Sequence, residues 1–178
     1  MKKFIVALVA GLTLTGIPVR ADNDLKAHQN LWAALEEVGV TPTLNDMRCF
    51  QGGIDGYYHS YGNALIVCQG KSKKPGNVAA WTTNDLDTLR HEAHHVIQDC
   101  VDGTIGDGKI LPLFDDYDSW HSFVTTALTP AQIAGIIESY KGATPETHKT
   151  ELEAFAVANS LDADMIALIV RDVCGAVQ

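Results

Sequence analysis

The sequence predicts a mainly helical α+β domain, and two observations lead to this prediction. Several stretches after residue 24 repeat apolar side chains at the 3.6-residue spacing that is typical of amphipathic helices. Residues 47–69 instead combine glycines with aromatic and β-branched residues, which indicates a pair of short strands. Residues 22–178 are numerous enough to form a single domain with its own hydrophobic core.

The first 21 residues have the composition of a secretory signal peptide. Two lysines precede an apolar run from Phe4 to Leu14, and Val19-Arg20-Ala21 fits a small-x-small cleavage site. We therefore expect a secreted or periplasmic protein whose mature chain begins at Asp22. The apolar run is too short for a membrane span and no second long one follows, so we expect no span in the mature chain.

The balance of charge argues against two classes of partner. The chain has 13 basic and 22 acidic residues and a formal net charge of −9. The expected mature chain keeps ten of the basic residues and so carries −12. Because nucleic acids and anionic membranes attract basic surfaces, we expect neither of them as a partner.

The four cysteines are an even number, which is typical of two disulfides in an exported chain. We favour the pairing Cys49–Cys68, which would close the predicted strand region, together with Cys100–Cys174, which would join two predicted helix ends. A metal site built from cysteines is disfavoured because the sequence has no C-x-x-C pair.

The predicted elements are bounded by helix caps and by glycine or proline. Threonine–proline pairs mark the start of two helices, and a glycine follows the end of three. We predict helices over Asp24–Val38, Asn84–Cys100, Thr129–Lys141, from Pro145 onward and over Ala163–Cys174, and strands over Gly56–Ser60 and Ala64–Cys68. Residues 41–43 are predicted as a break, and residues 101–120 as an irregular acidic loop without the spacing of a calcium-binding EF-hand.

The helix over Asn84–Cys100, with Thr83 or Asn84 as its N-cap, contains the pattern H-E-x-x-H at residues 91–95. Histidines four residues apart lie on one helix face, so His91 and His95 can converge on a single Zn²⁺ ion. Glu92 points about 100° away from His91 and can reach a water at the metal without binding the metal itself.

His94, the remaining histidine of the pattern, lies about 100° from His95 around the helix and should not bind the same ion. We expect its side chain to be partly exposed, or to donate a hydrogen bond to a group that orients the site.

A catalytic zinc site needs a third protein ligand. The extended pattern of the metzincins is excluded, because Gln98 and Val101 stand where that pattern has glycine and histidine. Glu151 and Glu153 on the helix after Pro145 are the remaining candidates. We favour Glu151, because its helix face is apolar and packs against the core. A carboxylate on such a face is costly unless it is paired or bound to a metal. Glu153 is expected to be solvated or to orient a ligand.

These residues resemble the gluzincin class of zinc metallopeptidases, in particular the compact minigluzincins. The resemblance covers two short segments, the H-E-x-x-H pattern and the E-x-x-A that begins at Glu151. It implies His91, His95 and Glu151 as ligands of one zinc ion per chain and Glu92 as the general base. Phe155 departs from the family pattern, which has Asp or Asn at that place.

The resemblance also implies a zincin-like arrangement, in which an active-site helix and a glutamate helix lie beside a small sheet. In such proteins the edge strand of the sheet binds the substrate backbone by strand addition. Ala64–Cys68 is the strand that we expect to do so here.

Together these features predict a secreted zinc metallopeptidase that hydrolyses peptide bonds in a peptide or protein substrate. The alternative is an exported zinc-binding protein without hydrolytic activity, which would need the ligands but not Glu92. Five side chains could donate a hydrogen bond to the oxyanion of the reaction, and the sequence does not choose among them: Tyr57, Tyr58, His121, Tyr140 and His148.

Overall fold

The computed structural model describes residues 25–177, so the predicted signal peptide lies outside the described residues. Within this range the protein is α+β and mainly helical, as predicted. The helices are α1 (Leu25–Glu37), α2 (Thr83–Cys100), α3 (Tyr117–Ala127), α4 (Pro130–Ser139), α5 (Pro145–Ser160) and α6 (Ala163–Cys174). The strands are β1 (Thr41–Leu44), β2 (Gly56–His59) and β3 (Ala64–Val67), and single 3-10 turns occupy Met47–Phe50, Ser60–Gly62 and Gly175–Val177.

Helix α2 is the centre of the fold. Helices α1, α5 and α6 and the strands β2 and β3 all pack against it, and every residue from Thr88 to Cys100 is buried. Its N-cap is Thr82, so the prediction of Thr83 or Asn84 as the N-cap is wrong. The Thr82 hydroxyl accepts the Asp85 N–H at 3.2 Å, and the Asp85 carboxylate accepts the Thr82 N–H at 2.7 Å.

The hydrophobic residues form two clusters. The larger one lies between α1, α2, α6 and the sheet, and the smaller one joins α3 to α5 around Trp120 and Leu152. Helix α3 was not predicted, because it begins inside the stretch that we interpreted as an irregular loop. Asp116 caps it by accepting the Ser119 N–H at 2.8 Å, and Trp120 and Val124 are its two buried residues.

The three strands form a sheet in the order β1-β3-β2, with β3 parallel to β1 and antiparallel to β2. The β2–β3 hairpin was predicted, whereas β1 was not, because Pro42 suggested a break. Proline is tolerated on an edge strand, where one side of the backbone has no ladder bonds to make. The prediction that Ala64–Cys68 forms the edge strand is wrong, since β3 is paired on both sides. Strand β2 is the edge strand next to α2.

Two features are compatible with the predicted export. Both favoured disulfides are present, Cys49–Cys68 between the first 3-10 turn and the residue after β3, and Cys100–Cys174 between the last residues of α2 and α6. None of the helices within residues 25–177 combines the length and the apolar character needed to cross a membrane.

Loss of the Cys100–Cys174 disulfide is expected to lower the free energy of unfolding by about 4 kcal/mol, and loss of Cys49–Cys68 by about 3 kcal/mol. The difference arises because the two bonds link residues 74 and 19 positions apart, and the longer loop restricts the unfolded chain more. Chemical denaturation of the two Cys-to-Ala double variants measures both losses. An equal or larger loss for the shorter loop would contradict this expectation.

Candidate metal centre

Three side chains from two helices meet beside the middle of α2. His91 and His95 come from successive turns of α2, and Glu151 comes from α5. The two histidine Nε2 atoms are 3.1 Å apart, and Glu151 Oε2 lies 3.3 Å from His91 Nε2 and 3.5 Å from His95 Nε2. This group of three could hold a metal ion.

The spacing of the three donor atoms fits a four-coordinate ion. Ligand atoms bound to one tetrahedral ion at about 2.0–2.2 Å lie roughly 3.3–3.6 Å from one another. The separations of 3.1, 3.3 and 3.5 Å are close to this range. Glu151 Oε2 is also buried without a hydrogen-bond partner within the described residues. A cation between the three atoms would therefore satisfy this oxygen.

The ionisation of the cluster also favours a cation. Burial lowers the pKa of His91 to about 4, so this imidazole is neutral at physiological pH. Burial raises the pKa of Glu151, but the neighbouring imidazoles outweigh it and hold that pKa well below its usual range. Burial also disfavours the charged form of His95, yet Glu151 and Glu92 raise the pKa of His95 to about 9. The carboxylates thus favour a positive charge at this point, and a divalent cation would supply it.

Glu92 lies on the next face of α2 and is 6% exposed. Burial raises its pKa to about 7, against the opposing effects of His95 and of a hydrogen bond from the backbone N–H of Tyr58. A pKa near neutrality suits a group that takes up and releases a proton at physiological pH. Glu92 is not one of the three grouped donors, in agreement with its predicted separation from the metal ligands.

Glu153, the other candidate ligand, lies outside this group. It is 0% exposed, and its Oε1 accepts hydrogen bonds from His94 Nε2 at 2.8 Å, Gln98 Nε2 at 3.0 Å and the Leu113 N–H at 2.9 Å. The expectation that Glu153 is solvated is therefore wrong. The loop before α3 covers this face of α5, and the sequence pattern did not reveal that contact.

His94 is likewise not partly exposed, since only 1% of its surface is accessible. It hydrogen-bonds to Glu153 and is not one of the grouped donors, as the helical geometry predicted.

Gln98 contacts His95, and this contact was not predicted from the sequence. Its Oε1 lies 2.7 Å from His95 Nδ1, on the side of the imidazole that faces away from the cluster. The sequence could have indicated this contact, because Gln98 follows His95 by three residues and residues three apart are neighbours on a helix surface.

The cluster has open space on two sides. A cleft of about 820 Å³ borders His91 and Glu92, and its walls come from the segment Gly53–Gly56, helix α4 and the second half of α5. A smaller hollow of about 240 Å³ borders His95 and Glu151. A ligand lying in the larger cleft would therefore contact His91 of the cluster and Glu92.

Gly56 allows the edge strand β2 to lie directly against α2. A Cβ atom built on Gly56 would be 2.5 Å from Thr88 Cγ2, 2.7 Å from the Ile66 carbonyl oxygen and 3.2 Å from Glu92 Cγ. The absence of a side chain at this position thus brings the strand next to Glu92.

Gly56→Ala is expected to lower the free energy of unfolding by about 1–3 kcal/mol, because the Ile66 carbonyl cannot move away without disturbing the sheet. Gly135→Ala in α4 is the matched control. Its added methyl group meets nothing within 4 Å, so the substitution should raise the stability by roughly 0.5–1 kcal/mol. Chemical denaturation measures both variants, and an unchanged stability for Gly56→Ala would refute the close approach.

Among the five predicted oxyanion donors, Tyr140 is the one that lines the cleft beside His91 and Glu92. Tyr57 and Tyr58 donate to aspartate side chains, and His148 bonds to a backbone carbonyl. The carboxylate of Glu151 lies close enough to the Tyr140 hydroxyl to affect its ionisation. Burial and that carboxylate raise the Tyr140 pKa far above its usual range, so the hydroxyl remains a donor.

Comparison with models of known families, with curated proteins and with solved structures finds no match. The zincin-like fold implied by the resemblance to gluzincins thus stays a prediction.

Proposed function

We propose that the protein is an exported zinc-dependent hydrolase that cleaves peptide bonds. The observation that carries this proposal is the position of Glu92, a buried carboxylate that borders the same cleft as His91 of the metal-binding cluster. A protein that only binds zinc needs the donor atoms but has no use for a base beside them. The combination of donors and base therefore supports hydrolysis.

Zinc is the metal that we propose, with one ion per chain held by His91, His95 and Glu151. Two imidazole nitrogens and one carboxylate oxygen are a donor set of catalytic zinc sites, in which a fourth position stays open for water or substrate. When bound, zinc would lower the pKa of a coordinated water and polarise the scissile carbonyl.

The protein groups around the cluster have complementary roles in this proposal. Glu92 accepts the proton of the attacking water and later passes it to the leaving amine nitrogen. Its pKa of about 7 suits both transfers. The Tyr140 hydroxyl donates a hydrogen bond to the carbonyl oxygen as negative charge develops on that atom.

Strand β2 supports a peptide as the substrate. It is an edge strand, and its first residue, Gly56, borders the cleft beside Glu92. An extended peptide can add to an unpaired strand edge through main-chain hydrogen bonds. Such a peptide would place its backbone carbonyls next to the cluster. Strand β2 therefore takes the role that we had expected for Ala64–Cys68.

Tyr140→Phe is expected to lower kcat roughly 100-fold, because removal of one oxyanion donor typically costs 100- to 1000-fold. The zinc content should stay at one ion per chain, since Tyr140 is not one of the grouped donors. Steady-state kinetics together with metal analysis measure both quantities. A variant with the kcat of the wild type would exclude this role for Tyr140.

The function is tested by incubating the purified mature protein with a broad peptide library and detecting products by mass spectrometry. We expect cleavage that stops when a chelator removes the metal and returns when one equivalent of zinc is added. A protein that holds zinc but cleaves no peptide would favour the non-hydrolytic alternative. A protein that holds no zinc would contradict both functions.

A further inference from the structure

A buried hydrogen-bond chain leads from His95 on α2 to α5. Gln98 Oε1 lies 2.7 Å from His95 Nδ1, and Gln98 Nε2 lies 3.0 Å from both the Thr150 carbonyl oxygen and Glu153 Oε1. Gln98 and Glu153 are both 0% exposed. No solvent molecule can therefore replace either group without a rearrangement of the core.

The hydrogen-bond partners of the Gln98 amide determine the directions of its oxygen and of its NH₂ group. The Thr150 backbone carbonyl can only accept a hydrogen bond, so the end of the amide that faces it is the NH₂ group. The amide oxygen consequently faces His95, and Nδ1 of His95 must carry a proton to donate to it. In a neutral imidazole the lone pair then resides on Nε2, the atom that faces His91 and Glu151.

His91 is held in a different way. Its Nδ1 is buried and has no hydrogen-bond partner within residues 25–177. Its ring packs instead against Phe155, with the ring centroids 4.3 Å apart. Such a contact restrains the position of the ring but does not select one tautomer. Of the two imidazoles in the cluster, His95 is thus the one whose tautomer is set by a hydrogen bond.

Glu153 anchors the donor end of the Gln98 amide. Its Oε1 also accepts hydrogen bonds from His94 Nε2 and from the Leu113 N–H, which come from α2 and from the loop before α3. The carboxylate is therefore fixed from two directions and cannot follow the amide if the amide rotates.

We propose that Gln98 and Glu153 are positioning residues that hold His95 in its metal-binding tautomer. This inference rests on the proposed zinc centre. Gln98 acts through His95, and Glu153 acts through Gln98. In many zinc sites a carboxylate or a backbone carbonyl accepts the outer N–H of a histidine ligand. Here the amide of Gln98 takes that place.

The inference is tested by measuring the zinc dissociation constant of the intact mature protein by competition with a chromogenic chelator. Gln98→Met keeps the length of the side chain but removes the acceptor, so we expect zinc binding to weaken about 10–100-fold. Gln98→Glu keeps an acceptor for His95 but places a second carboxylate near Glu153. We expect it to be less stable than Gln98→Met and yet to bind zinc more tightly. A purely structural role would give the opposite order of affinities.

The role of Glu153 is tested with Glu153→Gln in the wild-type and Gln98→Met backgrounds. We expect severalfold weaker zinc binding in the first background and no further loss in the second, because Glu153 acts through the amide. The visible spectrum of the Co²⁺-loaded protein should shift in Gln98→Met and remain unchanged in Asp99→Asn.

Asp99→Asn is the matched control. Asp99 is a buried neighbour on α2 whose carboxylate accepts hydrogen bonds from the Tyr58 hydroxyl and the Gly106 N–H, and not from His95. We expect a changed Tm and an unchanged zinc affinity.

Wild-type affinity in Gln98→Met would overturn the positioning role while leaving the zinc centre intact. Failure of the wild-type protein itself to bind zinc would overturn both proposals. If Gln98→Met does not fold, the ratio of affinities between Gln98→Glu and wild type decides, with a loss above about tenfold counting against the role.

Discussion

Glu92→Gln is expected to lower kcat for peptide cleavage by about 1000-fold or more and to leave one zinc ion per chain. The substituted amide has nearly the same shape but cannot take up a proton, and positioned general bases contribute about 100- to 10,000-fold. Zinc should remain bound because Glu92 is not one of the three grouped donors. Single-turnover kinetics and metal analysis on the same sample measure both effects.

Two results would contradict this expectation. Cleavage at the wild-type rate would show that another group is the base, and loss of zinc would show that Glu92 is itself a ligand. His121, an exposed residue of α3, offers a control position, and His121→Gln should change neither kcat nor zinc content.

Glu92→Gln should also stabilise the metal-free protein at neutral pH. Burial raises the pKa of Glu92 from 4.5 to about 7, so the ionised carboxylate is disfavoured in the folded state relative to the unfolded state. This destabilisation is absent below pH 4.5, grows as the pH rises, and is complete above pH 7. Denaturation of both metal-free proteins at pH 5 and pH 8 should therefore show a larger advantage for Glu92→Gln at pH 8.

Glu151→Gln is expected to weaken zinc binding by more than about 100-fold and to abolish cleavage at limiting zinc. Loss of a hydrogen-bond partner of a ligand typically costs about 10–100-fold in metal affinity, and loss of a charged ligand should cost more. Glu151 Oε2 faces both histidine Nε2 atoms, and a neutral amide cannot balance the charge of the ion as a carboxylate does.

Glu153→Gln is the informative comparison for Glu151→Gln. The two glutamates lie two residues apart on α5, but only the carboxylate of Glu151 faces the histidine Nε2 atoms, while Glu153 hydrogen-bonds to His94 and Gln98. We expect the Glu153 variant to bind zinc only severalfold more weakly than the wild type, a much smaller loss than that of Glu151→Gln. If Glu153→Gln lost zinc and Glu151→Gln kept it, the ligand assignment would be reversed.

The sequence was informative about the cluster because the relevant geometry is local. Two histidines four residues apart share a helix face wherever that helix lies, and Glu92 is displaced from them by a fixed angle. Both disulfides could also be predicted, since Cys100–Cys174 joins two predicted helix ends and Cys49–Cys68 closes the predicted strand region.

Two errors are local, namely the N-cap of α2 and the missed helix α3, and the others concern contacts between segments that are distant in the sequence. Glu153 was predicted to be solvated or to orient a ligand. The solvated alternative is wrong because Leu113 and Gln98 converge on that carboxylate, which the pattern of α5 does not show. Strand β3 was predicted to lie at the edge of the sheet because the residues around it in the sequence do not indicate its pairing with β1. Helix propensity and periodicity describe one element at a time, and tertiary packing decides which of its faces is covered.

Anomalous diffraction at the zinc absorption edge, from crystals of the mature protein loaded with one equivalent of zinc, tests the central claim most directly. We expect one strong peak per chain, about 2.0–2.2 Å from His91 Nε2, His95 Nε2 and a carboxylate oxygen of Glu151. A peak at any other position, or no peak after loading, would contradict the proposed metal centre and the hydrolytic function that depends on it.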